Sequence, residues 1–376
     1  MGGNAATVFE LSTKAQSGAP LHIIQPVPEL ISRFPQTRYY GSKRKLLPWM
    51  YKHLGILNFS TVLDAFGGTG SVSLLFKAMR KDVTYHDAFR FNEDVARTVL
   101  ADRPQLDRVA VEAIFAKIEP AEGVISKNFS GIFFKDAENS WLDGFATYLA
   151  RQHAPSEIQS LLRYLVYQAC LKKRPFNLFH RANLKLRTNE GIERSFGNAV
   201  TWERSFLEHA LQAFDEIDQC PPLVGGTASI LPAGNADDIS NGYDLVYIDP
   251  PYISQRDHYN RDDYWRRYHF LEGLARYDEW GEKIDPSSSI GLASAPVWFA
   301  EWGRARSFKD RLFAFIEKHK HSHVALSYVS DAVPSEEEIK LHFEAHFPQV
   351  SVHSAEYSHA LSKTRKRELL FIGFPK

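Results

Sequence analysis

Residues 61–70 read TVLDAFGGTG, from Thr61 to Gly70, and an apolar run with helical spacing follows from Ser71 to Met79. The apolar start predicts a short buried strand, and the three glycines predict a loop whose backbone can approach a ligand closely. A strand, a glycine loop and a helix in this order are typical of a nucleotide-type site. A tight structural turn is the alternative, and the lack of a Gly-Lys-Ser/Thr ending disfavours a triphosphate P-loop.

A second strand is predicted from Asp82 and ends in the acid Asp87, 17 residues after Gly70. This is near the spacing at which an acidic residue meets ribose hydroxyls in dinucleotide folds. A cap for the helix from Asn92 onward is the alternative role of Asp87. Two consecutive β–α steps predict an α/β fold with a doubly wound sheet.

The strand pattern is interrupted in the middle of the chain and resumes in its later part. Further strands are predicted at residues 243–248, 323–328, 350–357 and 368–374. Between about Asp136 and Pro222 the sequence is rich in aromatic residues and mostly helical in its spacing. We interpret this stretch as an insertion into the sheet domain.

The tetrapeptide Asp249-Pro250-Pro251-Tyr252 directly follows the apolar strand at 243–248. The prolines fix the backbone, so the Pro250 carbonyl and the Asp249 carboxylate can both accept from one NH2 group. These two bonds would localise the lone pair of a base amine, and Tyr252 offers a flat face for stacking. The predicted chemistry is methyl transfer to a base amine. A simple turn is the alternative reading of the tetrapeptide.

The N-terminal region predicts a loose arm up to residue 34 and then a basic turn that opens a helix. Tyr40-Gly41-Ser42-Lys43 precedes the apolar-periodic residues from Leu46. Such a helix N-terminus is a natural seat for a carboxylate or phosphate, although an ordinary capped helix is the alternative.

A basic segment within the predicted insertion is the candidate DNA-contacting region. Because the formal net charge is +0, a nucleic-acid surface must arise from local clustering. Basic side chains alternate here with aromatic and Asn residues, which suits phosphate contact and base-edge readout, although a solvated basic face is the alternative. The candidates are Lys172, Lys173, Arg174, Asn177, Arg181, Lys185 and Arg187.

Composition is that of a globular protein, with 44% hydrophobic and 24% charged residues. Cys170 and Cys220 are the only cysteines, which excludes a disulfide framework and a zinc ligand set. We therefore expect no metal and a reduced, cytoplasmic setting. The sequence lacks a long apolar run or a leader pattern, so we expect neither secretion nor membrane insertion.

Taken together, these motifs resemble those of the alpha-class, Dam-like DNA adenine-N6 methyltransferases. The glycine motif of that family is similar to Asp64, Phe66, Gly68 and Gly70, and its catalytic motif to residues 249–252. The resemblance extends to Tyr40-Gly41-Ser42-Lys43, Leu326-Ser327-Tyr328 and the run from Arg367 to Ile372. Two positions depart from the family pattern: Asn235 replaces an acid, and His86 replaces an Asn before Asp87.

The resemblance implies a Rossmann-like, S-adenosylmethionine-dependent methyltransferase sheet with an inserted, mainly helical target-recognition domain. The implied division is an N-terminal arm at 1–34, a first core part at 35–135, the insertion at 136–224 and a second core part at 225–376. The catalytic set is residues 249–252. The implied donor site comprises Tyr40, Gly41, Ser42, Lys43, Asp64, Phe66, Gly67, Gly68, Gly70, Asp87, Asn235 and Asp237.

The leading hypothesis is a site-specific enzyme that flips adenine out of double-stranded DNA and methylates its N6. Cytosine N4, an RNA adenine or a protein amide are alternative acceptors, and a catalytically silent DNA-binding relative is a further alternative. We expect a monomer. The sequence leaves open the recognition site and a companion restriction endonuclease.

Overall fold

The computed structural model describes residues 27–35, 42–102, 104–152, 154–174, 178–189, 199–254, 263–358 and 365–376. The strands of these residues are β1 (Thr61–Asp64), β2 (Asp82–Tyr85), β3 (Ala228–Ile230), β4 (Leu245–Ile248), β5 (Ile253–Ser254), β6 (His323–Val329), β7 (Ala332–Val333), β8 (Gln349–Ser358) and β9 (Arg365–Phe374). Each strand predicted from the sequence is present.

The central sheet has seven strands in the order β3-β2-β1-β4-β6-β9-β8. Strands β3, β2, β1, β4 and β6 pair in parallel, whereas β9 runs antiparallel to both β6 and β8. This mostly parallel sheet confirms the predicted α/β class. Because the chain order reverses between β1 and β4, a ligand site is expected at the carboxyl ends of these strands. Strands β5 and β7 form a separate antiparallel pair.

Both faces of the sheet are buried, as a mostly parallel sheet requires. Along β4, Leu245 and Tyr247 join one hydrophobic cluster, whereas Val246 and Ile248 join another. Successive side chains of a strand point to opposite faces, so the continuous apolar run follows from this double coverage. The second cluster also contains Phe308, Leu312, Phe315 and Ile316, and, nearer the C-terminus, Leu369 and Phe371.

The described residues form the α-helices α1 (Val27–Ser32), α2 (Leu47–Leu54), α3 (Ser71–Ala78), α4 (Arg90–Leu100), α5 (Arg108–Phe115), α6 (Val124–Asn128), α7 (Asp136–Arg151), α8 (Ser156–Lys172), α9 (Lys185–Thr188), α10 (Ala199–Glu203), α11 (Phe206–Asp218), α12 (Tyr264–Ala275), α13 (Tyr277–Lys283), α14 (Val297–Trp302), α15 (Ala305–Lys318) and α16 (Glu336–His346). Short 3-10 helices span Lys43–Leu46 and Ala236–Asp238. None of the described helices is both long enough and apolar enough to cross a bilayer.

The stretch at 136–224 is helical from α7 to α11 in its described part, as predicted. Its helices do not form a core of their own, because Leu165 of α8 and Phe214 of α11 belong to the same hydrophobic cluster as Val62 of β1. Helix α8 is buried along nearly its whole length, and it packs against α4 and α11. The helical stretch is therefore part of one packed unit with the sheet.

The end of the predicted N-terminal arm is packed, which corrects the expectation of a loose segment up to residue 34. Ile31 and Phe34 are only 1% and 4% exposed. The Arg44 guanidinium donates to the backbone carbonyls of Ile31 at 2.8 Å and Phe34 at 2.5 Å, and so caps the end of α1. Residues 1–26 lie outside the described residues.

Candidate active site

One cleft opens at the carboxyl ends of β1, β2, β3 and β4. It lies where the strand order reverses, which is the position expected for a ligand in an open α/β sheet. The predicted glycine loop and the predicted catalytic loop both line it. Its walls are Ser42, Lys43, Asp64, Phe66, Gly67, Gly68, Thr69, Ser71, Val72, His86, Asp87, Ala88, Phe89, Gly234, Ala236, Tyr247, Asp249, Pro251, Tyr252, Tyr264, Trp298, Phe299, Trp302 and Gly303.

The glycine loop needs glycine at two positions for identifiable reasons. A Cβ atom on Gly67 would collide with the ring of Tyr85 on β2. Gly70 has a φ of 73° and caps the N-terminus of α3, in a left-handed conformation that favours glycine. The loop therefore brings its backbone and the first turn of α3 to the edge of the cleft.

Hydrogen bonds to Asp87 connect the glycine loop to the end of β2. Its carboxylate accepts from the backbone N–H of Gly68 and of Phe89 and from the Asn92 amide, each at 2.9 Å. Burial raises the pKa of Asp87, although these hydrogen bonds oppose the rise. His86, which stands where the family pattern has Asn, has a hydrogen-bond partner in this position. Its Nδ1 is 3.0 Å from the Ala65 carbonyl oxygen at the end of β1.

Asp64 is the buried acid at the end of β1 and lines the cleft. Its Oδ2 accepts from the Ser73 hydroxyl at 2.6 Å, whereas its Oδ1 has no hydrogen-bond partner among the described residues. Burial raises the pKa of Asp64 to about 7. A buried acceptor without a donor fits a ligand that carries an ammonium group, as the methionine part of S-adenosylmethionine does.

The side chains of Asn235 and Asp237, which were predicted in the donor site, bond to other groups of the protein. Asn235 Oδ1 accepts from the Trp302 indole at 3.2 Å, and Asp237 is paired with Arg311. Neither residue is among those that line the cleft, where their neighbours Gly234 and Ala236 lie instead.

An aromatic wall that the sequence reading missed closes the other side of the cleft. Trp298, Phe299 and Trp302 of α14 all line it, and the Trp302 ring packs edge-on against Phe66 at a centroid distance of 5.1 Å. The signal was present in the sequence, since three of the six residues of α14 are aromatic. No motif spacing distinguished them from ordinary core residues.

The catalytic loop places Asp249 and Tyr252 side by side at the end of β4. The Tyr252 hydroxyl donates to Asp249 Oδ1 at 2.6 Å, and the Tyr252 ring packs edge-on against Tyr328 at 5.4 Å. Among the described residues, no backbone N–H donates to the Pro250 carbonyl. Pro251 lines the cleft beside them.

Lys43 was predicted in the donor site, yet its ammonium lies against the catalytic loop. Its Nζ is 3.2 Å from Asp249 Oδ1, 2.5 Å from Glu368 Oε1 and 2.5 Å from the Tyr252 hydroxyl. Glu368 of β9 is a second carboxylate of this cluster, and sequence reasoning missed it as a site residue. Ser42 caps the 3-10 helix that carries Lys43, accepting from the Arg44 N–H at 3.5 Å.

The charges of this cluster shift each other's pKa values. Burial alone would lower the pKa of Lys43, but Asp249 and Glu368 outweigh it and raise the pKa above its usual value. Burial raises the pKa of Asp249; Lys43 opposes this rise and Glu368 reinforces it. The ammonium therefore favours the ionised form of the Asp249 carboxylate.

Three of the predicted DNA-contacting residues are buried and paired inside the protein, which corrects their predicted role. Lys173 and Arg187 both bond to Glu138 of α7, at 2.8 and 2.9 Å. Arg174 is 1% exposed and lies between the rings of Phe133 and Phe179, 4.2 Å from each centroid. These three cations hold the helical stretch together.

The remaining predicted DNA contacts differ in exposure. Arg181 and Lys185 are exposed. Lys172 is paired with Glu216 at 2.8 Å. The predicted site residues Tyr40, Gly41 and Asn177 lie outside the described residues. Among the residues that the structure describes, no cluster of three or more His, Cys, Asp or Glu side chains could hold a metal ion.

Comparison with known proteins identifies the family of this chain. A family model for the D12 class of N6 adenine-specific DNA methyltransferases matches residues 39–285, which is more than half of the chain. The chain is also 26% identical over 236 residues to the Type II methyltransferase M2.HphI of Haemophilus parahaemolyticus, covering 60% of this chain and 68% of that protein. The matched range includes the glycine loop, Asp87 and the catalytic loop. The chain belongs to the D12 class of N6 adenine-specific DNA methyltransferases.

Proposed function

We propose that this adenine-N6 DNA methyltransferase uses S-adenosylmethionine as its donor and acts on an adenine that is flipped out of duplex DNA at a specific site. The observation that carries the proposal is the single cleft shared by the glycine loop and the Asp249 loop. A donor held on the first and a base held on the second would meet inside it. We assign the two halves of the cleft to the two substrates.

In the donor half, each group that we assign has a physical reason. Asp64 offers a buried acceptor to the α-ammonium of the donor, and the Asp87 carboxylate keeps acceptor capacity for ribose hydroxyls beside Gly68. Phe66 and Trp298 supply apolar and aromatic surface for the adenine of the donor. When bound, S-adenosylmethionine supplies a methyl group on a positively charged sulfur.

In the acceptor half, the catalytic loop prepares the base amine. Asp249 and the Pro250 carbonyl accept hydrogen bonds from the two N–H groups of the amine. These hydrogen bonds localise the lone pair of the amine nitrogen for attack on the methyl carbon. We also assign Asp249, whose pKa is raised by burial, as the acceptor for the proton that the amine then loses. Tyr252 supplies the face on which the flipped adenine stacks.

We assign DNA contact to exposed Arg and Lys side chains near the mouth of the cleft. The Phe179 N–H donates to the Arg267 carbonyl of α12 at 2.9 Å, so the segment with Arg181 lies beside α12. Tyr264, at the start of the same helix, lines the cleft. Arg181 and Arg266 are exposed here. Burial is the largest cause that lowers the pKa of His180 to about 4, and the positive charges of Arg267, Arg181 and Arg266 lower it further. We assign this positive patch and Lys185 to phosphate contact and residues 136–224 to target recognition.

The relative's printed class suggests a biological setting. M2.HphI is a Type II methyltransferase, so we propose that a separate restriction endonuclease accompanies this chain as well. We also propose that the methyltransferase acts as a monomer.

Methyl transfer from labelled S-adenosylmethionine to duplex DNA tests the proposal. Nucleoside chromatography of the digested DNA should place the label on N6-methyldeoxyadenosine. Calorimetry with the same protein should report binding of S-adenosylmethionine. Label on N4-methyldeoxycytidine, or donor binding without any label in DNA, would contradict the proposed acceptor.

The DNA surface has its own test. Changing Arg181 and Arg266 together to Ala should weaken DNA binding and reduce the salt slope by up to about two. An unchanged slope would remove the patch from the interface. Lys117 lies on an exposed turn after α5, and Lys117→Ala is the matched control.

A further inference from the structure

Glu368 lies beyond the residues that the family model matches and yet belongs to the catalytic cluster. Glu368 lies on β9, which pairs antiparallel with β6, and it is opposite Val329 at the carboxyl end of β6. Glu368 as a whole residue is 5% exposed. Its Oε1 is 2.5 Å from Lys43 Nζ, 3.2 Å from the Ser327 hydroxyl and 3.2 Å from the Tyr252 hydroxyl.

The Tyr252 hydroxyl has two carboxylates within reach but only one proton to donate. It is 2.6 Å from Asp249 Oδ1 and 3.2 Å from Glu368 Oε1. In this arrangement Asp249 Oδ1 already accepts from the Tyr252 hydroxyl, and Lys43 Nζ lies 3.2 Å from the same Oδ1 atom. An incoming amine that binds this oxygen must therefore compete with groups of the protein.

We propose that Glu368 is a positioning residue that takes over the Tyr252 hydroxyl when the target base enters, so that Asp249 Oδ1 is released to accept from the base amine. The inference rests on the proposed function, because it concerns the catalytic role given to Asp249 there. The step is an exchange of hydrogen bonds. Tyr252 keeps its proton and changes its acceptor.

The surroundings of Glu368 suit this task. Lys43 and Ser327 both donate to it, which fixes its orientation. A carboxylate is also a stronger acceptor for a phenol than a neutral group is. Lys43 contacts Asp249 as well as Glu368, so its ammonium stays in contact with a carboxylate in either arrangement.

A double-mutant cycle tests the exchange, with single-turnover methylation rates of the full chain at saturating DNA and S-adenosylmethionine. In Glu368→Gln the replacement acceptor is neutral, so Tyr252 stays on Asp249 and the rate should fall on the order of tenfold. In a Tyr252→Phe background no hydroxyl competes for Asp249, and the same change should alter the rate by less than about twofold. The affinity for S-adenosylmethionine should be unchanged throughout.

Two controls guard against a purely structural effect. Glu356→Gln on β8 changes an exposed carboxylate and should leave the rate unaltered. If Glu368→Gln lowers the melting temperature so far that the rate cannot be measured, Glu368→Asp replaces it. That variant keeps a charge for Lys43 but withdraws the oxygen from Tyr252, and its effect must show the same dependence on Tyr252.

An equal loss in both backgrounds would overturn the exchange, as would an unchanged rate in Glu368→Gln. These outcomes leave the proposed function intact, since they are ratios between active proteins. Absence of adenine methylation by the unaltered chain would instead overturn the proposed function and this inference with it.

Discussion

Replacing Lys43 by Met removes the one cation of the described catalytic cluster and should move the acid limb of the rate profile to higher pH. Lys43 stabilises the ionised form of Asp249, so its loss raises the pKa of that carboxyl further above the ordinary value. A protonated Asp249 accepts only weakly from the base amine. The rate should therefore fall at a pH where the unaltered chain is still fully active.

The separation of the two charges sets the size of the effect. At 3.2 Å, a unit charge pair is worth about 5 kcal/mol at an effective dielectric constant of about 20. This energy is an upper bound, because water that enters the vacated space recovers part of it. We therefore expect the acid limb to move to higher pH by less than the full charge-pair energy would give.

The assay is the single-turnover rate of DNA methylation measured across pH 5.5–9.5 at saturating substrates. Lys43→Arg keeps the charge and should hold the limb near its original position, and Lys52→Met on the exposed surface of α2 is the matched control. Melting temperatures identify variants that fail to fold. An acid limb that stays in place or moves to lower pH in folded Lys43→Met would refute the electrostatic role of Lys43.

Three further predictions concern the donor site and the helical stretch. Because Asp64 has a pKa of about 7, calorimetric affinity for S-adenosylmethionine should rise by up to about tenfold per pH unit from pH 5.5 and level off near 7. Asp64→Asn should bind weakly with no such slope, and a slope that survives would exclude Asp64 as the ammonium acceptor. Trp298→Ala should raise the dissociation constant for the donor about tenfold through lost stacking, whereas an unchanged constant would remove α14 from the donor site. Arg187→Met should lower the free energy of unfolding by about 3 kcal/mol in denaturant titrations. The pKa of Glu138 is about 2, because Arg187 and Lys173 outweigh the effect of burial. The unaltered chain should therefore lose stability as the pH falls from about 4.5 to 2, and the variant should lose less; equal stability would contradict the structural role of Arg187.

The parts of the site that lie on one local segment were predictable from the sequence. The glycine loop follows β1 directly, and its glycines are required by a positive φ at Gly70 and by the contact of Gly67 with Tyr85. Likewise, Asp249 and Tyr252 follow β4 in one tetrapeptide. In each case a strand, its loop and its chemistry are contiguous, so periodicity and residue type suffice.

The parts that depend on distant segments were not predictable in this way. Glu368 reaches Lys43 only because β9 inserts antiparallel between β6 and β8, and no local pattern specifies that pairing. Arg174 and Arg187 have the composition of a DNA-binding segment. Their burial depends on Phe133 and Glu138, which come from earlier segments. A basic run alone cannot separate cations that face solvent from cations that hold helices together.

Modification-sensitive sequencing of duplex DNA, incubated with S-adenosylmethionine and either the unaltered chain or Asp249→Ala, tests the central claim most directly. We predict N6-methyladenine confined to one short sequence motif with the unaltered chain. We predict no modification with Asp249→Ala, although that variant should still bind the donor and DNA. Normal methylation by Asp249→Ala, or modified bases other than adenine with the unaltered chain, would contradict the account.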